Sequence, residues 1–127
     1  MQSVLDTSVL IADSVRPIEG DIAISTISIA ELQFGVLLAP DDNRRAVRLA
    51  RLSAIVRAFE PLPVDAMVAA SYGQLAAATH RAGRKATARS LDLMIAATAH
   101  AHGARLVTSN FADVSHLSDL VEIVDYH

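Results

Sequence analysis

A chain of 127 residues that is 52% apolar and 20% charged has enough apolar material for one domain with a real core, and too much for a disordered segment. It contains no cysteine, which excludes a disulfide framework and a thiolate zinc site. Its net charge of −3 means that a nucleic-acid partner would need a local basic patch. No apolar run approaches a membrane span and no signal-peptide pattern is present, so a cytoplasmic location is expected. Every basic residue except Lys85 is Arg, a bias that suits phosphate contacts.

Val4 and Leu5 form a short apolar run that Asp6 closes. Thr7 and Ser8 offer helix-capping chemistry, and a first helix is predicted from Thr7 to Ser14. Asp6 therefore sits where a first strand hands over to a helix. In an open α/β sheet that is the edge where ligands bind, although an acid there can also simply cap the helix. Arg16-Pro17 ends the segment. Ile22-Ala23-Ile24 reads as a second strand, Ser25 caps a helix from Thr26 to Ala39, and Asp41 caps a long helix through Phe59. Arg44, Arg48 and Arg51 recur at helical spacing on that helix and read as a solvated flank, with an RNA path as their alternative role.

Pro61 to Val64 is predicted as an edge strand, since proline cannot donate to a ladder. Asp65 caps a helix from Ala66 to Arg81 with the row Val68, Tyr72, Leu75 and Thr79, and Gly83 is its stop signal. A basic loop from Arg84 to Arg89 follows. Ser90 is read as the cap of a helix from Leu91 to His102, stopped by Gly103. Leu106-Val107 is a strand with Thr108-Ser109-Asn110 as its turn, then a short helix spans Ala112 to Leu117, and Val121 to Val124 is the last strand. Strands alternate with helices and no tight hairpin intervenes. The expected fold is α/β: a mostly parallel sheet in a three-layer α/β/α domain spanning residues 1–127.

Four acids stand out. Glu31 shares a helical row with Ile27, Phe34 and Leu38, so it is expected to face the core side, where an unpaired carboxylate needs a cation. Asp92 lies in the first turn of its helix, where the dipole favours an acid, yet it shares a face with Ile95, Ala96 and Ala99. Asp113 follows a strand by a short turn, with Thr108 and Asn110 beside it. Clustered carboxylates repel and so require a cation. Hard oxygen ligands without cysteine favour Mg²⁺ or Mn²⁺, which activate water and neutralise charge in phosphodiester cleavage.

Taken in order, V-L-D-T-S-V-L, I-S-T-I-S-I-A-E-L-Q-F-G, G-R-K-A-T-A-R-S-L-D-L-M-I-A-A-T-A-H-A-H-G and R-L-V-T-S-N-F-A-D give the chain a clear likeness. From Val4 to Asp113 it resembles the PIN-domain ribonucleases of the VapC toxin class, the toxic half of bacterial toxin–antitoxin pairs. The resemblance implies that Asp6, Glu31, Asp92 and Asp113 form an acidic, catalytic Mg²⁺ or Mn²⁺ site supported by Thr108 and Asn110. It implies cleavage of the RNA backbone by activated water, a homodimer and a VapB-type antitoxin. Val114 departs from the pattern, since the family usually carries an aromatic after the fourth acid.

Arg81, Arg84, Lys85 and Arg89 crowd the approach to the Asp92 helix and are the candidate RNA track. The apolar helices starting at Thr7 and Thr26 are the candidate antitoxin groove, through Val9, Ile11, Leu32, Val36 and Leu37. His80, His100, His102, His116 and His127 form no metal-binding pair and are read as surface or helix-end residues. A receiver-like phosphoaspartate site fails because position 8 is Ser rather than a second acid. The alternative from another class is a catalytically inactive PIN-like module that binds RNA or protein. Such a module would show no metal-dependent cleavage.

Overall fold

The computed structural model describes residues 2–12 and 16–126. Its strands β1 (Gln2–Leu5), β2 (Asp21–Ile24), β3 (Arg105–Thr108) and β4 (Ile123–Asp125) form one sheet in the order β2-β1-β3-β4, with every neighbouring pair parallel. Parallel neighbours need long crossovers, and helices supply them. These are α1 (Thr7–Leu10), α2 (Thr26–Leu37), α3 (Asp42–Ala58), α4 (Ala66–Arg81), α5 (Ser90–Ala101) and α6 (Phe111–Val114). Among the described residues no helix is long and apolar enough to cross a membrane.

The strands alternate their side chains between two cores, as the two-residue period requires. Val4 and Leu106 pack with Val68 and Leu75 of α4 and Leu93, Ile95, Ala96 and Ala99 of α5. Leu5, Ile24 and Val107 point the other way, onto Leu32 and Val36 of α2 and Leu52 and Ile55 of α3. Helices therefore cover both faces, as the sequence predicts.

Several boundaries follow from local chemistry. Ser25, Asp41 and Asp65 each accept a backbone N–H of the helix they precede, at 3.0, 2.8 and 3.0 Å. Gly83 and Gly103 follow α4 and α5 at φ of 78° and 61°, the left-handed conformation that ends a helix cheaply only with glycine. Other expectations need correction. Helix α1 stops at Leu10, and the predicted end at Ser14 lies outside the described residues, as does His127. The predicted strand at Pro61–Val64 is a single parallel bridge from Leu62 to Ser25, because Pro61 and Pro63 have no N–H to extend it. The basic loop contains a 3-10 turn at Ala86–Arg89, and Ser90 is the first residue of α5 rather than its cap. Thr108 belongs to β3, and the last strand is shifted to Ile123–Asp125.

Two histidines are structural rather than superficial. His100 Nδ1 pairs with Ser71 Oγ at 2.8 Å, joining α5 to α4. Thr79 Oγ1 gives its proton to the Leu75 carbonyl at 2.9 Å, so His116 Nε2 must donate to Thr79 at 2.8 Å.

The strand order places a reversal at the centre. From β1 the chain leaves to β2 on one side, then returns to β3 on the other. The carboxyl ends of β1 and β3 therefore flank the crevice where such sheets bind ligands.

Candidate active site at the carboxyl edge of the sheet

Asp6 directly follows β1 in that crevice and is 8% exposed. Its N–H donates to the Val107 carbonyl at 2.9 Å, which ties it to β3. It occupies the position before α1 with extended backbone, yet its carboxylate caps no N–H of that helix. Oδ2 instead accepts from Ser8 Oγ at 2.7 Å and Thr108 Oγ1 at 2.9 Å. The reading of Asp6 as a helix cap therefore fails. Each hydroxyl is oriented from behind. Ser8 Oγ accepts from the Ser109 N–H at 3.0 Å and Thr108 Oγ1 from the Asn110 N–H at 3.0 Å, so both protons point at Asp6. Among the described residues Oδ1 takes no hydrogen bond, and it is not one of the sealed polar atoms.

Glu31 reaches the same crevice from α2. Its Oε1 accepts from Thr7 Oγ1 at 2.7 Å, and Thr7 accepts in turn from Ser28 Oγ at 2.9 Å. The row predicted to be inward does not hold. Phe34 and Leu38 are 63% and 61% exposed, and the buried row of α2 is Ser28, Leu32 and Val36. Because α2 is apolar on nearly every face, its hydrophobic pattern does not single out the inward side. Glu31 stands half-buried at the rim, turned toward α1.

Asp92 lies in the first turn of α5, and Asp113 on α6, with side chains 38% and 36% exposed. Arg89 stands over both, with Nη1 at 2.9 Å from Asp113 Oδ2 and 3.9 Å from Asp92 Oδ2. Burial pushes the Asp92 carboxyl above the usual carboxylate range, and the charges of Asp6, Glu31 and Asp113 push the same way. Arg89 opposes them. Thus the charges of the other three sequence-predicted acids all reach Asp92, although the four come from the end of β1, α2, α5 and α6.

The donor set suits a hard divalent cation: carboxylate oxygens that repel one another, with no thiolate. Among the described residues, however, no group of three or more His, Asp or Glu side chains is arranged to hold a metal ion.

The supporting residues divide. Thr108 acts through its hydroxyl, whereas the side chain of Asn110 caps nothing and only its backbone takes part, its N–H donating to Thr108 Oγ1 and its carbonyl accepting from the Asp113 N–H. Thr7, Ser8 and Ser28 complete the hydroxyl network. The sequence reads Thr7 and Ser8 as caps, with support of the acids as the alternative for either, and gives Ser28 no role. The available signal is a run of hydroxyls immediately after an acid. Arg81, Arg84, Lys85 and Arg89 are all exposed. Arg84 donates to the Asp113 carbonyl at 3.4 Å, so it and Arg89 border the acids directly. Arg48 and Arg51, expected on a solvated flank, are half-buried on the Glu31 side.

Of the proposed antitoxin groove, Val9, Leu32 and Val36 are core residues, while Ile11 and Leu37 are 47% and 68% exposed.

Comparison with known proteins places these observations. The model of the PIN domain matches residues 3–115. Ribonuclease VapC8 of Mycobacterium tuberculosis is 36% identical over 99 residues, 75% of this chain and 88% of the relative. Ribonuclease VapC5 of the same organism is 36% identical over 113 residues, 84% of this chain and 82% of the relative. A crystal structure of VapBC-5 from Mycobacterium tuberculosis, a member of the VapBC family of toxin–antitoxin systems, superposes with a TM-score of 0.86 at 36% identity, covering 98% of both chains.

Proposed function

The chain belongs to the PIN-domain family, and on that premise we propose that it is a divalent-metal-dependent endoribonuclease, the toxin of a type II toxin–antitoxin pair. The observation that carries this reading is the hydroxyl clamp on Asp6 at the β1–β3 crevice, together with Asp92, which feels the charges of Asp6, Glu31 and Asp113. A purely structural acid would not be surrounded by three others.

Asp6, through its open Oδ1, and Asp92 would hold the cation, Mg²⁺ or Mn²⁺, with Glu31 and Asp113 completing its surroundings. When bound, the ion supplies positive charge at the scissile phosphate and makes water a better nucleophile at neutral pH. The chain supplies orientation. Ser8 and Thr108 fix the Asp6 carboxylate in one rotamer. Thr7 holds Oε1 of Glu31, which leaves Oε2 to accept a proton from an attacking water. Arg89 partly offsets the repulsion between Asp92 and Asp113. The solved relative belongs to a toxin–antitoxin system, which supports a cognate VapB-type antitoxin as partner.

The test is cleavage of single-stranded RNA with Mg²⁺ or Mn²⁺ titrated into metal-free protein. Wild type should cut RNA only with metal, and Asp6→Asn and Asp92→Asn should each lose cleavage while remaining folded by circular dichroism. Cleavage at the wild-type rate by either variant would remove it from the site. A wild type inert with every divalent ion would favour the non-catalytic binding module.

A further inference from the structure

Glu31 stands between two openings. On the α5 side it lines a cavity of about 270 Å³ with Arg89 and Asp92. On the opposite side it lines a larger cavity of about 390 Å³ with Thr7, Gly35, Arg48 and Arg51. A hollow of about 310 Å³ along α3 shares Arg48 and Arg51 and continues to Arg44. The acid centre thus has a basic border on its far side as well as along the Arg84–Arg89 segment.

Three features of the α3 side point to an anionic occupant. Arg51 is half-buried, yet it makes no hydrogen bond or ion pair among the described residues. The Glu31 carboxylate lines the same cavity without pairing with Arg51, so the guanidinium fork of Arg51 stays open to an anion that enters. Arg48 is anchored, with Nη1 donating to the Gly35 carbonyl at 2.7 Å, and the rest of its donor fork stays available. Gly35 itself is unexplained by packing. It sits in the interior of α2, where glycine weakens a helix relative to alanine, and its φ is not in the left-handed region. A Cβ built there would meet nothing within 4 Å. Its absence does keep the wall of the cavity low, which suits close approach of a ligand to backbone.

We propose that the cavity formed by Gly35, Arg48 and Arg51 is a backbone-phosphate subsite for single-stranded RNA, which holds the strand on the α3 side of the acid centre. The proposal rests on the ribonuclease reading above. Arg44, Arg48 and Arg51 recur at three- and four-residue spacing, so they share one face of α3 over about 10 Å. Basic groups that follow a groove are how sequence-tolerant proteins track a single strand. On a chain of net charge −3, such local tracks must supply the attraction that the whole molecule does not.

The experiment is fluorescence anisotropy of a labelled single-stranded RNA with the metal-free full chain, across a salt series, paired with steady-state cleavage. Arg51→Ala should weaken binding about tenfold and reduce the slope of log affinity against log salt by about 0.7. In cleavage it should raise KM with little change in kcat. Gly35→Ala should raise the melting temperature, as a helix gains from alanine, and yet weaken RNA binding. Arg57→Ala, at the far end of α3 and outside the cavity, should change neither. If wild type neither binds nor cleaves RNA, the ribonuclease reading itself falls. If wild type does both and Arg51→Ala keeps the wild-type slope, this subsite alone is wrong. An Arg51→Ala variant that binds RNA normally but loses affinity for the co-expressed antitoxin would overturn it too, assigning the cavity to an acidic protein segment.

Discussion

Burial and the charges of Asp6 and Glu31 raise the Asp92 carboxyl, and Arg89 offsets them only in part. The native state therefore holds a proton on Asp92 more tightly than the unfolded chain does. The sign follows from linkage: Asp92 costs no stability below the ordinary value of 3.8, and costs progressively more as pH rises through its raised folded value. Metal-free Asp92→Asn should thus melt above wild type at neutral pH, and the gain should shrink as the pH is lowered into the carboxylate range. Divalent metal should stabilise wild type but not the variant. A gain that grows toward acid pH in a melting series would contradict this account. Thr108 offers a complementary case. Its hydroxyl is one of two donors to Oδ2 of a nearly buried Asp6, and the residue is 1% exposed. Thr108→Val keeps the shape and removes the donor, which should cost about 1–3 kcal/mol in chemical denaturation. It should also lower kcat, because Asp6 would lose its fixed rotamer.

Helix α2 shows how two faces of one element serve different ends. Leu32 and Val36 are 8% and 5% exposed and interlock with Leu52 and Ile55 of α3. Leu32→Ala should therefore cost about 2–5 kcal/mol by urea unfolding, as expected for a cavity in a packed core. Phe34, two residues on and 63% exposed, should tolerate Ala within about 0.5 kcal/mol. Equal losses at both positions would contradict the packing of Leu32 against α3. A charge at Leu32 or Val36 would unfold the protein, so neither is a fair probe of partner binding. Between these faces the helix carries Glu31 and Gly35 along the wall of the crevice.

At the scale of the molecule, Phe34, Leu37 and Leu38 leave an apolar patch on the outside of α2, 61–68% exposed. Contiguous exposed apolar surface of this kind marks partner sites. Under the toxin reading, Phe34→Asp combined with Leu37→Asp should keep the wild-type melting temperature and RNA cleavage but escape neutralisation by the cognate antitoxin in a growth assay. Neutralisation at the wild-type level would place the antitoxin elsewhere. The sheet order sets the rest of the layout. It brings the ends of β1 and β3 together, so residues about a hundred positions apart, Asp6 and Thr108, share a hydrogen bond.

The sequence alone determined the alternation of strands and helices, the caps at Ser25, Asp41 and Asp65, and the glycine stops at Gly83 and Gly103. These depend on residues a few positions apart, where hydrogen-bonding groups and backbone conformation are decided locally. The inward face of α2 was not legible, because a helix apolar on nearly all sides packs on whichever face the sheet and α3 present. Nor was the collapse of the Pro61–Val64 strand to one bridge, since proline fixes what the chain cannot donate but not where its neighbour lies. The partners of the acids were likewise hidden. Ser8, Thr7, Ser28 and Arg89 choose their carboxylates only once parallel pairing has set the positions of β1 and β3. Tertiary structure alone also moved Arg48 and Arg51 from a solvated flank to the wall of a cavity, because α3 packs across α2. A helical repeat states which residues share a face, and only packing decides what that face meets.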